Sequence, residues 1–267
     1  MTSYKITSFI NPKIKKLVQL RNRKDRDQSH ETIIEGYREL LRAVESNVRL
    51  SEFYFCPDLL KQYDREGLLD KVLKLKIPMY EVHQPVFEKA AYGDRKEGCI
   101  AVASPVAWKL NDLKLPEQSC VVVVEKVEKP GNLGAMLRVC DGAGVDAVIV
   151  CEPKTDIYNP NAIRASVGTI FSVNVAAATN EEARNFLKAK KFKICATTPA
   201  AEQIYSKENL APPLAIVVGS EDEGLTDFWI KNADVRVKIP MNGKADSLNV
   251  SVSTAILLYE ALRQREL

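Results

Sequence analysis

From Ser119 onward, short apolar runs alternate with stretches at helical spacing, and that alternation leaves few architectures open. The runs are Cys120–Glu125, Ala147–Cys151, Ser172–Ala176, Lys193–Thr197, Leu214–Val218 and Asp234–Ile239. Helical stretches fall near Leu133–Ala143, Ala162–Val167, Glu181–Lys190, Asp227–Lys231 and Val250–Gln264. Strands that are apolar throughout must be covered on both faces, and strand–helix–strand alternation makes neighbours parallel. The expected fold class is α/β, with a mainly parallel sheet.

At 267 residues the chain has room for a second, smaller domain. Asn11-Pro12 is a good helix start, since Asn caps and Pro suits the first helical position, and this helix should run to about Leu20. Strands are expected at Thr32–Ile34, Leu50–Cys56, Met79–Val82 and Cys99–Ala103. Helices are expected at Tyr37–Ser46, Arg65–Lys74 and Pro85–Ala91, giving a small α/β unit. Ser104–Gln118 holds two prolines and no periodicity, which marks a linker.

Charge is unevenly spread. Residues 1–28 carry eight Lys or Arg against Asp25 and Asp27, a local net of +6, while the remainder carries −3. A basic start on a near-neutral body suits a polyanion, because neutralised phosphates release counterions. The six cysteines form no CxxC pair and have only His30 and His83 for company, so no metal site is expected. Most lie in apolar runs, as reduced, buried thiols of a cytoplasmic protein would. No stretch approaches the roughly 18 apolar residues of a membrane span. Met1–Ile10 lacks the apolar core of a signal peptide, so none is expected.

In an open parallel sheet, ligands bind beyond the carboxyl ends of the strands. Three loops there are rich in glycine and polar residues: Lys129–Arg138 (KPGNLGAMLR), Gly219–Leu225 (GSEDEGL) and Ile239–Ser251 (IPMNGKADSLNVS). Other chemistries fail on their own requirements. Gly243-Lys244 is followed by Ala245 where a phosphate loop needs Ser or Thr. Gly142–Ala147 (GAGVDA) has dinucleotide-fingerprint spacing, but it follows a helix and precedes a strand, the reverse of the required order. HExxH and GxSxG are absent.

These loops resemble the three motifs of the SpoU branch of the SPOUT RNA methyltransferases. The first is matched by Pro130-Gly131-Asn132-Leu133-Gly134 with Arg138, the second by Gly219-Ser220-Glu221 with Gly224-Leu225. The third is matched by Ile239-Pro240-Met241, Gly243 and Ser247-Leu248-Asn249-Val250-Ser251. The chain departs from the pattern at Glu128-Lys129, where the family usually has Asp beside Pro-Gly-Asn, and at Ser220, often Asn. The resemblance covers 119–267 closely. More loosely, 1–106 resembles the family's L30e-like substrate-binding domain, with 107–118 as linker.

The resemblance implies a C-terminal α/β knot, a deep trefoil in which the last segment threads a loop, and a homodimer with Arg138 reaching the partner's cofactor pocket. It implies S-adenosylmethionine as cofactor and methyl transfer to a ribose 2′-hydroxyl. Ribosomal RNA is favoured as substrate over transfer RNA because the L30e-like domain accompanies many ribosomal-RNA members. Arg138 is the family's proposed base; a guanidinium that stays protonated is better suited to holding a phosphate and stabilising a developing alkoxide. Asn132 and Glu221 would orient Arg138 and the ribose, with Ser247 and Asn249 beside Arg138 and the cofactor. Gly219, Ile239, Met241 and Leu248 would contact the cofactor.

Each polar residue also has a plain structural reading: Asn132 and Asn249 as helix caps, Glu221 as a solvated loop acid. Arg21, Arg23, Lys24 and Arg26 are candidate RNA contacts, giving affinity rather than site choice. Ile256, Leu257 and Leu262 read as core or dimer contacts, and Trp108 and Trp229 as having no ligand role. A catalytically inactive RNA-binding protein of the same fold is the competing reading, against which the intact set of five polar residues argues.

Overall fold

The computed structural model describes residues 4–92, 97–104, 108–211 and 213–265. The first stretch of chain forms β1 (Tyr4–Ile6), α1 (Pro12–Gln19), α2 (Arg23–Ser29), β2 (Thr32–Glu35), α3 (Tyr37–Glu45) and β3 (Leu50–Phe55). It continues through α4 (Pro57–Leu60), α5 (Leu68–Lys74), β4 (Met79–Val82), α6 (Gln84–Ala90) and β5 (Cys99–Ala103). Next come β6 (Cys120–Glu125), α7 (Pro130–Gly142), β7 (Ala147–Cys151), α8 (Pro160–Ala165), β8 (Val175–Ala178) and α9 (Asn180–Ala189). The chain ends with β9 (Lys193–Thr197), β10 (Gln203–Ile204), β11 (Leu214–Val218), α10 (Asp227–Asn232), β12 (Val235–Lys238) and α11 (Val250–Arg265).

Two compact units result. One is Met1–Val106 with Tyr158–Ser172; the other is Ala107–Ile157 with Val173–Leu267. Of the expected linker, residues 105–107 lie outside the described ones.

The first unit holds a five-stranded mixed sheet in the order β1-β4-β3-β5-β2, with β5 antiparallel to both its neighbours. Asn11 caps α1 as its sequence predicts, its Oδ1 accepting the Lys13 N–H at 2.9 Å. Ile14 and Leu17 of α1 pack with Phe87 of α6 and Tyr54 of β3 in the core. Tyr158–Ser172 belongs to this unit through contacts such as Thr32 Oγ1 donating to the Tyr158 carbonyl at 2.9 Å. Gly168, at φ +83°, sits where a Cβ would come within 2.8 Å of Glu39 Cα, so only glycine fits.

Three elements here were not expected: α4, a single turn begun by Pro57, together with β1 and α2. Strand β1 has three residues and no alternation of its own; pairing with β4 makes it a strand. Helix α2 lacks an apolar stripe and is held by Arg26, which is buried.

In the second unit seven strands run parallel, in the order β10-β12-β9-β11-β6-β7-β8. Strands β6, β7 and β11 are buried at every position, as runs that are apolar but for Glu125 at the end of β6 require. β8 begins three residues later than the sequence expectation, the chain still turning at Ser172, whose N–H donates to the Thr169 carbonyl at 3.0 Å. Among the described residues no helix is long and apolar enough to cross a membrane.

Candidate active site

After β6 the chain moves outward through β7 and β8, then crosses to the other side of β6, where β9 and β11 lie. This reversal opens a crevice at the carboxyl ends of β6 and β11. The register Val218↔Val124 sets those ends level, so the loops that follow them face each other.

The loop after β11 closes on itself. The Ser220 N–H donates to the Gly224 carbonyl at 3.2 Å and the Gly224 N–H returns to the Ser220 carbonyl at 3.1 Å. A Cβ on Gly219 would lie 2.1 Å from the Gly224 carbonyl carbon, so the two limbs meet only because residue 219 is glycine.

Three sequence-predicted side chains converge here. Asn132 Nδ2 donates to Glu221 Oε1, and Asn249 Nδ2 donates to Asn132 Oδ1 at 3.3 Å. α7 begins at Pro130, so Asn132 lies inside its first turn rather than capping it. Asn249 caps α11 as one reading expected, its Oδ1 accepting the Ser251 N–H at 2.9 Å; its amide reaches Asn132 and not Arg138, beside which it was expected. Glu221 is half-buried and bonded, not a solvated loop acid.

Beside this cluster is a cavity of about 330 Å³. Gly219, Ile239, Met241 and Leu248, all singled out from sequence, line it, together with Glu221 and Ser247. Val218, Leu225 and Val250 add apolar wall. That volume lies at the lower end of the range for small-molecule sites, and the mixture of apolar wall and a few polar groups is typical of them.

Arg138 stands apart within the single chain. Six residues along α7 from Asn132, it is turned roughly 120° around the helix. It is exposed, and among the described residues it makes no hydrogen bond or ion pair. Gly131 and Gly142 are exposed on the same helix, and half-buried Ala135 shares their spacing. The position of a Cβ on Gly142 lies 3.3 Å from the hydroxyl of Tyr259 on α11. Tyr259 and Val252 of that helix are 52% and 46% exposed, leaving an apolar face uncovered.

The sequence reading passed over two features of this site. Thr197 ends β9 on the cavity wall, and its Oγ1 is buried without a hydrogen-bond partner among the described residues. Glu125 ends β6 fully buried, its Oε1 accepting from Asn180 Nδ2 at 2.6 Å and Thr226 Oγ1 at 2.6 Å, its Oε2 from the Thr226 N–H at 2.8 Å. Trp229 Nε1 donates to Asn180 Oδ1 at 2.8 Å, extending the network that anchors the residue just after the Gly219–Leu225 loop. Thr197 and Glu125 are each a single polar residue closing a parallel strand whose middle is apolar, a feature with no period of its own.

The basic residues of the first unit divide in two. Arg21 Nη2 donates to the carbonyls of Lys89, Ala90 and Ala91, and Arg26, 4% exposed, donates to those of Leu20 and Arg21. Both close helix C-termini, which sets Arg26 to a structural task instead of the RNA contact expected of it. Arg23, beside Asp27, and Lys24 are exposed. Among the described residues no His/Cys/Asp/Glu group is placed to hold a metal.

The fold and the crevice are those of a methyltransferase class. The SpoU rRNA Methylase family matches residues 119–259, and the MRM3-like substrate binding domain matches residues 11–101. The chain belongs to the SpoU rRNA methylase family. It is 28% identical over 254 residues to the 23S rRNA (guanosine(2553)-2'-O)-methyltransferase RlmP of Bacillus subtilis, covering 95% of this chain and 97% of that one. It is 35% identical over 210 residues to the 23S rRNA (guanosine-2'-O-)-methyltransferase RlmB of Pseudomonas putida, covering 75% and 84%. Among solved structures, an RNA 2'-O ribose methyltransferase superposes with a TM-score of 0.85 at 41% identity, covering 98% and 100%. The AdoMet-bound rRNA methyltransferase of Sinorhizobium meliloti superposes with a TM-score of 0.88 at 26% identity, covering 98% of each.

Proposed function

We propose that this protein transfers a methyl group from S-adenosylmethionine to a ribose 2′-hydroxyl of ribosomal RNA. The observation that carries the reading is the cavity at the β6/β11 crevice, with Glu221 on its wall bonded to Asn132. The names of the relatives point to the same reaction on the same kind of RNA.

The cavity suits the cofactor. Leu225, Ile239, Met241 and Leu248 offer apolar wall for the adenine, and the unpartnered Thr197 hydroxyl calls for a polar group from a ligand. When bound, the cofactor supplies an electrophilic methyl group on a sulfonium. The chain's residues then position the acceptor, since most of such a transfer comes from holding the oxygen in line. The 2′-hydroxyl oxygen gains the methyl group as the sulfonium S–C bond breaks to leave a neutral thioether, and its proton passes to solvent water. Arg138 holds the adjacent phosphate and stabilises the developing alkoxide, a task for a planar, permanently charged group. Asn132, fixed by Glu221 and Asn249, orients the ribose, with Ser247 beside the cofactor.

Arg138 acts in a homodimer, from one subunit into the cavity of the other. Its place on an exposed stripe of α7, beside the uncovered Val252 and Tyr259 of α11, supports this, as such a face is best covered by a second copy. The segment leading into α11 threads a loop to make the trefoil knot; the contact of α11 with both α7 and β11 is consistent with that path. The first unit holds the RNA, with Arg23 and Lys24 facing phosphate. Six buried, free thiols suit the reducing cytoplasm.

The test is methyl transfer from labelled cofactor to unmodified ribosomal RNA and, separately, transfer RNA, followed by digestion to nucleosides. The reading predicts label in a 2′-O-methyl nucleoside from ribosomal RNA. Label in a base, or in transfer RNA alone, overturns it.

A further inference from the structure

The first unit exposes aromatic rings in an arrangement the reaction does not use. Phe9 is 45% exposed, Ile10 75% and Tyr92 37%. Phe9 and Tyr92 stand at the two ends of one connected path. Lys89 Nζ sits 5.3 Å from the Phe9 ring centroid. The Lys89 carbonyl accepts from Arg21 Nη2 at 3.0 Å, and the same guanidinium lies 5.8 Å from the Tyr92 ring centroid. The path Phe9–Lys89–Arg21–Tyr92 therefore sets two cations between two rings, across the ends of α1 and α6. Arg21 is held by three backbone carbonyls, so this end of the path is fixed rather than floppy.

We infer that this surface takes unpaired bases of the RNA substrate, a single-stranded loop or bulge rather than a duplex. The inference rests on the proposed RNA-modifying function and adds which feature of the RNA the first unit grips. Charge selects the partner: Lys89 and Arg21 lie on the path itself, and Lys15 and Lys24 of the basic first stretch are exposed and unpaired among the described residues, a balance complementary to phosphate and adverse to a basic protein. Geometry selects the strandedness. Every base has a π-face that stacks on an exposed ring, whereas the bases of an A-form duplex are already stacked and closed to it.

The experiment compares the native protein with the double variant Phe9→Ala/Tyr92→Ala and the ring-preserving Phe9→Tyr/Tyr92→Phe. The probes are a labelled 12-nucleotide mixed-sequence RNA, single-stranded or annealed to its complement, read by fluorescence anisotropy, and ribosomal RNA, read by the KM for methyl transfer. Both rings are exposed, so the fold should survive; an unchanged Tm and an unchanged Kd for S-adenosylmethionine check that. The alanine pair should weaken single-strand binding by about tenfold or more, given what base stacking contributes, leave duplex binding unchanged and raise the KM. The ring-preserving pair should bind as the native protein does. Native methyl transfer with the alanine pair unchanged in both Kd and KM overturns this inference and leaves the function standing. Loss of single-strand binding in the alanine pair, with no methyl transfer by the native protein to any RNA, supports the surface and overturns the function.

Discussion

Asn132 on α7 and Glu221 on the β11 loop, 89 positions apart in the chain, are joined by a hydrogen bond from Asn132 Nδ2 to Glu221 Oε1. That bond ties two of the three motif loops together beside the cavity, and Asn249 brings in the third. The two residues should act as a unit. A double-mutant cycle of Asn132→Ala and Glu221→Ala should give a coupling of about 1–2 kcal/mol in the barrier to methyl transfer, read from kcat/KM. Additive losses would mean that the bond does not matter to the reaction.

Thr197 gives a sharper test of the cavity. Its buried hydroxyl has no partner among the described residues, so replacing it by the isosteric valine removes a polar burden from the free protein. Thr197→Val should keep or raise Tm, yet weaken S-adenosylmethionine binding about three- to tenfold by titration calorimetry. Undiminished affinity would place the cofactor elsewhere.

The pH dependence of stability follows from a buried cluster in the first unit. Glu52 is 8% exposed and is met by Lys13 Nζ at 3.0 Å, Lys16 Nζ at 3.1 Å and the Tyr54 hydroxyl. Burial pushes the Glu52 carboxyl up, but hydrogen bonds from Tyr54, Lys13 and Lys16 outweigh it and hold the group below its ordinary value. Burial pushes both lysines down, but Glu52 and Tyr80 outweigh it at Lys13, and Glu31 and Glu52 at Lys16, so both are raised. A lowered acid stabilises the fold above its unfolded pKa and loses that contribution as pH falls through the folded one; the raised lysines lose theirs only in strong alkali. Urea midpoints should therefore fall as pH drops below about 4.5. Glu52→Gln should be less stable at neutral pH and should flatten that acid limb. An acid limb as steep in the variant as in the native protein would assign it to other carboxylates.

How far the sequence reached depended on the kind of constraint. Strands β6, β7, β9 and β11 match the expected runs to the residue, because a parallel strand covered on both faces is apolar through its middle; the polar residues Glu125, Lys193 and Thr197 stand only at strand ends. Tyr158–Ser172 reads locally as one more helical stretch, and nothing in its pattern tells that it packs with the first unit. Within the site, residues carried by the motifs and by glycine were legible: Gly219, Ile239, Met241 and Leu248 line one cavity. Glu125 and Thr197 were not, since a single polar residue at a strand end carries no period. Arg26 shows the opposite failure, a charge that reads as surface and is buried as a helix cap.

A composite active site makes a quantitative prediction. Arg138→Ala and Leu248→Arg chains, each inactive alone, should regain activity when co-expressed. Random pairing makes half of the dimers mixed, each with one intact site, so about a quarter of native activity should return. A monomer by sedimentation, or no recovery in the mixture, would refute the exchange of Arg138 between subunits.

The central claim is tested most directly by assaying Arg138→Ala and Arg138→Lys beside the native protein, with labelled S-adenosylmethionine and unmodified ribosomal RNA, scoring 2′-O-methyl nucleosides. The account predicts product from the native chain, a loss of about a hundredfold or more in kcat for the alanine variant with cofactor binding intact, and partial activity for lysine, which keeps the charge with poorer geometry. Full activity in Arg138→Ala, or no 2′-O-methyl product from the native protein, would contradict it.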